Sequence, residues 1–407
     1  MLARIRWADT NSQFAWGGHF RGPGATYFNK GRGMNNLRRR VSKVLTIAVA
    51  LGLSAQVMSA HHAPTAGTAT VEAPVRGVAP TPGAVSGQGK MKFRVLVTAE
   101  KLPEEAKKVL EKAHGGIAVD RRPGKGESFF ALPGAGILEV SPDFQSITSV
   151  PTDSAMKDSN MHNTTIWYGK DGTPFLVFPG NDVSKIFTTT IDGKLVNTLN
   201  APTANDKFDS QEVYDYFFGA GKFVPTDVEK LGDLYYISTG YSPLDFILTA
   251  RVTDANPLQV MWNSLGWGGK GDAHGQFRTS HGVTVPPGMK RIDVSDRPNS
   301  RIERFTPYGR YLQTVKMPAG SLPCDVAYLD QYMIVAALDG PDTSRGAPVY
   351  IYENDRLIST VMPKEELGLV NFKHVHNATL VKANGKYYII ALAWNPGDFA
   401  VLEQVTD

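Results

Sequence analysis

The sequence predicts an all-β protein, a six-bladed β-propeller closed by an N-terminal strand in its last blade. Three observations predict it. The 407 residues include 40 glycines and 26 prolines, a turn content that favours many short strands over long helices. One short anchor opens a β-run six times: His114-Gly115-Gly116, His162-Asn163-Thr164, Thr226-Asp227-Val228, His281-Gly282-Val283, Cys324-Asp325-Val326 and His376-Asn377-Ala378. The last anchor is followed by three strand-like runs, and a fourth, Phe93–Val97, stands ahead of the first anchor.

Successive anchors lie 48, 64, 55, 43 and 52 residues apart, which suits four strands per repeat. After His281 the runs fall at 282–285, 290–296, 300–306 and 309–315; after His376 they fall at 377–383, 386–393 and 399–405. A strand from the N-terminal side completing the last blade removes two open sheet edges. The long gap before Thr226 leaves room for an insertion near 201–221. One helix is predicted, Pro103–Ala113, with Ala106, Val109, Leu110 and Ala113 on one face. Two β-sandwiches would use similar strands but explain neither the shared anchors nor the split of the last blade.

The chain ahead of the propeller reads in three parts. Residues 1–33 lack periodicity and precede Met34, so they are expected to be an extension outside the true start. Residues 34–60 have the layout of a secretory signal peptide: Arg38, Arg39, Arg40 and Lys43, then an apolar run from Val44 to Val57, then Met58-Ser59-Ala60. That run is short for a membrane span, although an uncleaved anchor is the alternative. Residues 61–91 read as a disordered linker, 19 of the 31 being Ala, Gly, Pro or Thr. The propeller is assigned to 92–407. The protein is expected in the periplasm or secreted, with no stable membrane span after cleavage.

The formal charge of +4 comes from the N-terminus. Residues 1–60 hold nine Lys or Arg against Asp9 alone, leaving a net of −4 over 61–407. Nucleic acid is therefore not an expected partner. A small molecule or peptide bound by a monomer is. One cysteine, Cys324, excludes an internal disulfide and a Cys-rich zinc module. The sequence has no G-x-S-x-G elbow and no phosphate-binding loop.

In a propeller the innermost strands line a central channel, so one register of the anchors forms a ring. His162, His281 and His376 belong to blades two, four and six and stand about 120° apart. Three neutral imidazoles with an open fourth position are the donor set of a catalytic zinc. The alternative for each is a histidine bonded to backbone. His114 lies off this threefold pattern and reads as channel-lining or structural. His374 is a possible substitute ligand, and His274 reads as solvent-facing in a Gly-rich loop.

These residues resemble a known family. The stretch from His274 to Ile302 resembles an NHL repeat. The anchors resemble the lyase domain of peptidylglycine α-amidating enzymes, a zinc propeller. The correspondence runs through Pro225-Thr226-Asp227-Val228, Tyr236-Ile237-Ser238-Thr239-Gly240-Tyr241, His281, Asp296-Arg297, and His162 with its Lys170-Asp171-Gly172 turn. It covers roughly 115–405 and is most specific in the two middle blades. The resemblance implies zinc on His162, His281 and His376, Tyr241 as catalytic base, and Arg297 on a substrate carboxylate. It implies cleavage of the C–N bond of an α-hydroxylated amide. The plainer readings are a channel-mouth aromatic for Tyr241 and an ion pair with Asp296 for Arg297. Asn377 replaces the family's aspartate at a calcium site, which puts Ca2+ in doubt, and Thr239 replaces another aspartate. The family's second arginine has only Arg121 or Arg122 as candidates. A non-catalytic propeller binding protein or glycan, and a zinc hydrolase with another substrate, are the alternatives.

Overall fold

The structure, a computed structural model, describes residues 72–406. The expectations for residues 1–33, 34–60 and 61–71 lie outside the described residues. From residue 86 on, the chain forms six antiparallel sheets around an axis. Blades one to five each take four consecutive strands. Their inner strands are Ala118–Val119, Thr165–Tyr168, Asp227–Leu231, Ser280–Thr284 and Pro323–Leu329. Blade six joins His374–Ala383, Lys386–Trp394 and Asp398–Gln404 to two strands from the N-terminal side. These are β1 (Ser86–Gln88) and β2 (Met91–Thr98). The closing strand expected at Phe93–Val97 is thus β2, paired antiparallel from Phe93–Gln404 to Thr98–Ala400.

The linker expected through residue 91 ends earlier. Composition signals poor self-burial, but this segment finds partners on the propeller. Glu72 and Val75 donate backbone N–H bonds to the side chains of Asn395 and Asn371, and Thr81 N–H bonds Leu367 O. Strand β1 reaches across to blade five, where Gln88 N–H meets Ser359 Oγ at 2.9 Å.

Six apolar clusters fill the six blade interfaces. Phe93, Phe372 and Leu402 pack against Ile334 and Ile351 between blades five and six. Val381, Ile390 and Phe399 pack against Phe130 and Leu132 between blades six and one, so the ring closes. Middle strands such as Tyr332–Ala337 are buried at every residue, and they are correspondingly rich in Val, Ile and aromatic side chains. Each fully buried large side chain contributes about 1.5–3 kcal/mol by leaving water.

The predicted helix is broken. Helix α1 (Glu104–Lys108) ends at Val109, and a 3-10 turn, Leu110–Lys112, follows. The break lets Ala106, Leu110 and Ala113 all reach the core. Three further short helices lie in blade connections: α2 (Ser154–Lys157), α3 (Gln211–Phe218) and α4 (Pro363–Leu367). Helix α3 is the insertion before Thr226; Ser210 caps it and Val213 and Phe217 are buried. Among the described residues no helix is long and apolar enough to cross a membrane.

Candidate metal centre

The anchors sit where each inner strand begins. In blades four, five and six the ladder register shifts at the anchor, between Ser280 and Val283, Pro323 and Asp325, and Val375 and Asn377. A bulge of this kind takes a residue out of the pleat and re-aims its side chain. His281 and His376 are thereby turned toward the axis.

His162, His281 and His376 are 0–2% exposed and their rings face one another. Centroids are 4.6 Å apart for His162–His376, 4.7 Å for His162–His281 and 4.9 Å for His281–His376. Each Nδ1 bonds the backbone carbonyl of the next blade's anchor: Thr226 at 2.7 Å, Cys324 at 2.8 Å and Gly115 at 3.0 Å. A carbonyl only accepts, so each Nδ1 carries the proton and each Nε2 keeps a lone pair. Nε2 of His162 and of His376 stand 3.1 Å apart. Burial holds the three imidazoles well below the ordinary histidine range, His376 at about 3. Neutral rings with lone pairs facing across 3.1 Å repel unless a cation or a donor stands between them. The residues therefore fit a metal ion.

Among the described residues, the group of ligand atoms close enough to share an ion includes His114. Nitrogens of His114, His162 and His376 all lie within 4.8 Å of one another. The rings of His162 and His376 are each 4.4 Å from that of His114. His114, expected to be channel-lining or structural, thus stands within reach of the other candidate ligands. It shares the anchor register with the others, and symmetry alone had set it aside. His281 stands slightly apart, because the Tyr241 hydroxyl intervenes at 3.0 Å from His281 Nε2 and 3.3 Å from His162 Nε2.

Tyr241 and Arg297 occupy equivalent places, just after the second strands of blades three and four, Leu234–Ser238 and Ile292–Asp296. Arg297 Nη1 donates to the Tyr241 hydroxyl at 3.3 Å and approaches Cys324 Sγ at 3.8 Å. The ion pair with Asp296 does not form; Asp296 is taken by Arg301 and Asn299. Arg297 is 4% exposed, and its Nε has no partner. A buried guanidinium with spare donors is a ready anion site. Burial pushes the Tyr241 phenol up, and Arg297 opposes that shift. Burial also pushes the Cys324 thiol up, to about 11, which makes it a poor nucleophile.

Arg121 does not join the site. The inner strand of blade one runs away from His114, and seven residues of extended chain cover roughly 20 Å. Its Nη2 bonds Leu380 O at 3.0 Å instead. Arg122 pairs with Asp120. His274 is largely exposed, yet Glu303 and Tyr311 hold it in place. His374 sends Nδ1 to Leu338 O and Asp339. Below the imidazoles lies a second tier, where Asn377 donates to Asp325 and Asn163. Beyond it opens a cavity of about 350 Å³ lined by Asp227, Glu229, Asp325 and Tyr328.

The sequence matches no protein-family profile and no curated protein. The chain is distantly similar to solved structures. Virginiamycin B lyase from Staphylococcus aureus shares 12% identity at a TM-score of 0.46, over 77% of this chain and 100% of that one. A catalytically inactive form of that lyase with quinupristin shares 11% at 0.44, over 79% and 100%. A chain of the nidogen/laminin complex shares 12% at 0.42, over 72% and 96%. Likeness at this distance leaves the chemistry to be read from the side chains.

Proposed function

We propose that this chain is an exported, zinc-dependent lyase that cleaves the C–N bond of an α-hydroxylated amide. One observation carries the reading. Imidazoles from alternate blades are locked through Nδ1 with their Nε2 atoms turned inward, beside a phenol and a buried guanidinium whose Nε has no partner. Imidazole nitrogens suit zinc among the divalent metals. The resemblance to the amidating lyases supports the substrate class, and the layout of residues 34–60 supports export.

His162, His281 and His376 would hold the ion, with His114 adjoining. Zinc bound there would polarise a substrate hydroxyl and ease ionisation of the neighbouring phenol. Tyr241 takes the hydroxyl proton. The O–H electron pair becomes the new C=O bond, the C–N bond breaks, and the nitrogen leaves as an amide after gaining a proton. Arg297 holds the substrate carboxylate through two parallel N–H bonds and so fixes the α-carbon beside Tyr241. The second product is an aldehyde or keto acid such as glyoxylate.

The test is metal analysis of protein from residue 61 onward, with glyoxylate release from a peptide ending in α-hydroxyglycine. Tyr241→Phe is expected to lower kcat by about 10²–10⁴-fold, the usual worth of a general base, with metal content unchanged. Full activity in that variant removes the proposed base. Bound metal without glyoxylate release points to a hydrolase or another substrate. Absence of metal leaves a binding propeller.

A further inference from the structure

The fourth histidine of the cluster obeys a different rule from the other three. His114 Nδ1 faces a side-chain amide, Nδ2 of Asn160, at 2.9 Å. An amide nitrogen only donates, so this contact makes His114 Nδ1 an acceptor and keeps the ring proton on Nε2. A protonated Nε2 cannot ligate. Asn160 Oδ1 meanwhile is buried with no hydrogen-bond partner.

We propose that His114 is a switchable fourth ligand of the metal centre, and that the Asn160 amide sets whether it coordinates. The inference rests on the metal reading above. A half turn of the amide brings Oδ1 to the same contact. His114 Nδ1 then carries the proton, donates to Oδ1, and leaves an Nε2 lone pair for the cluster. His114 thereby acquires the bonding already seen at His162, His281 and His376, whose Nδ1 protons go to carbonyls. The turn gives up the Nδ2 contact alone, because Oδ1 has no bond to lose.

The surroundings hold everything else still. Asn160 is pinned by its backbone, N–H to Asp182 Oδ1 at 2.9 Å and C=O to Asn181 N–H at 3.2 Å. The His114 ring stacks near-parallel with Trp394, at 5.2 Å and 25°, and with Tyr241, at 6.2 Å and 21°. The fixed ring plane leaves the proton position as the variable. With His114 bound, the place that a three-histidine centre leaves to substrate is filled. With His114 released, it is open. Asn160 is thus a positioning residue that gates access to the metal.

Copper(II) titrated into protein from residue 61 onward tests this, with the number of nitrogen donors read from the superhyperfine splitting in electron paramagnetic resonance. The wild type is expected to show four nitrogens and His114→Ala three. Asn160→Leu is expected to show three as well, with affinity about 10–100-fold weaker, the usual effect of losing a ligand's orienting partner. Asn160→Asp, whose carboxylate only accepts, restores four. Four nitrogens in Asn160→Leu, or a wild-type spectrum in His114→Ala, overturns the proposal. Thermal unfolding of each variant separates a changed site from a lost fold. Wild-type protein that takes up neither copper nor zinc refutes the metal reading itself, whereas three nitrogens throughout refutes only the switch.

Discussion

Three imidazoles hold the same tautomer because the three intervening blades each lend a neighbour a carbonyl. The acceptors come from Thr226, Cys324 and Gly115, residues whose side chains play no part in that contact. Residue type made the histidines visible in the sequence. It could not show that the intervening anchors matter through their backbone. Arg297 makes the complementary point: its neighbour Asp296 suggested an ion pair, yet the fold gives that carboxylate to Arg301. The channel wall offers a separate test at this scale. Burial pushes the Glu229 carboxyl up to about 8. The folded state therefore keeps a proton that the unfolded chain releases near the ordinary glutamate value of 4.5. Stability from this group is complete below that value and is lost as pH rises toward about 8. Glu229→Gln imitates the protonated form. It is expected to raise Tm at about pH 8 and to flatten the decline from about pH 5. A melting series with the wild-type slope would show that Glu229 is not the group responsible.

Strand and loop positions decide which side chains meet. Tyr241 and Arg297 lie 56 residues apart in sequence but at matching turns of adjacent blades, so their hydroxyl and guanidinium touch. Arg121 lies two residues beyond the inner strand of blade one, and its guanidinium bonds Leu380 O. A one-residue bulge at the anchors, which no pattern of apolar residues signals, aims His281 and His376 at the axis. The inner strands also approach one another closely at Gly116. A Cβ there would lie 1.4 Å from Asn163 Oδ1 and 2.9 Å from Asn377 Nδ2. Gly116→Ala must therefore push the second tier apart. Overpacking of this kind costs about 1–3 kcal/mol, and the displaced Asn377 adjoins His376. Denaturant unfolding is expected to show that loss together with weaker metal binding. An alanine variant with wild-type stability would mean that the tier is loose.

Ring closure governs the whole molecule. Strand β2 places Met91 and Phe93 in the cluster between blades five and six and Val97 in the cluster between blades six and one. Strand β1 extends the same sheet onto blade five. Removing residues 72–98 would bare the edge of Asp398–Gln404 and uncover two interfaces. Cooperative unfolding is expected to disappear in that deletion. Phe93→Ala alone is expected to cost about 3–5 kcal/mol. A deletion variant that unfolds in one transition at the wild-type denaturant midpoint would contradict closure by these strands.

Repeat spacing, strand-length apolar runs and turn residues were enough to read the architecture, because five blades are local antiparallel sheets whose strands follow one another in sequence and the sixth draws only its outer strands from the N-terminal side. The same register placed His162, His281 and His376 around one axis. The tertiary structure alone decided that His114 stands beside them, that the Asn160 amide faces its Nδ1, that Arg297 bonds Tyr241 and leaves Asp296 to Arg301 and that Arg121 turns to Leu380 O. Those facts depend on distances between side chains from different blades, and on which donor meets which acceptor across the channel. Such relations arise only when six separately coded sheets pack against each other and the ring shuts.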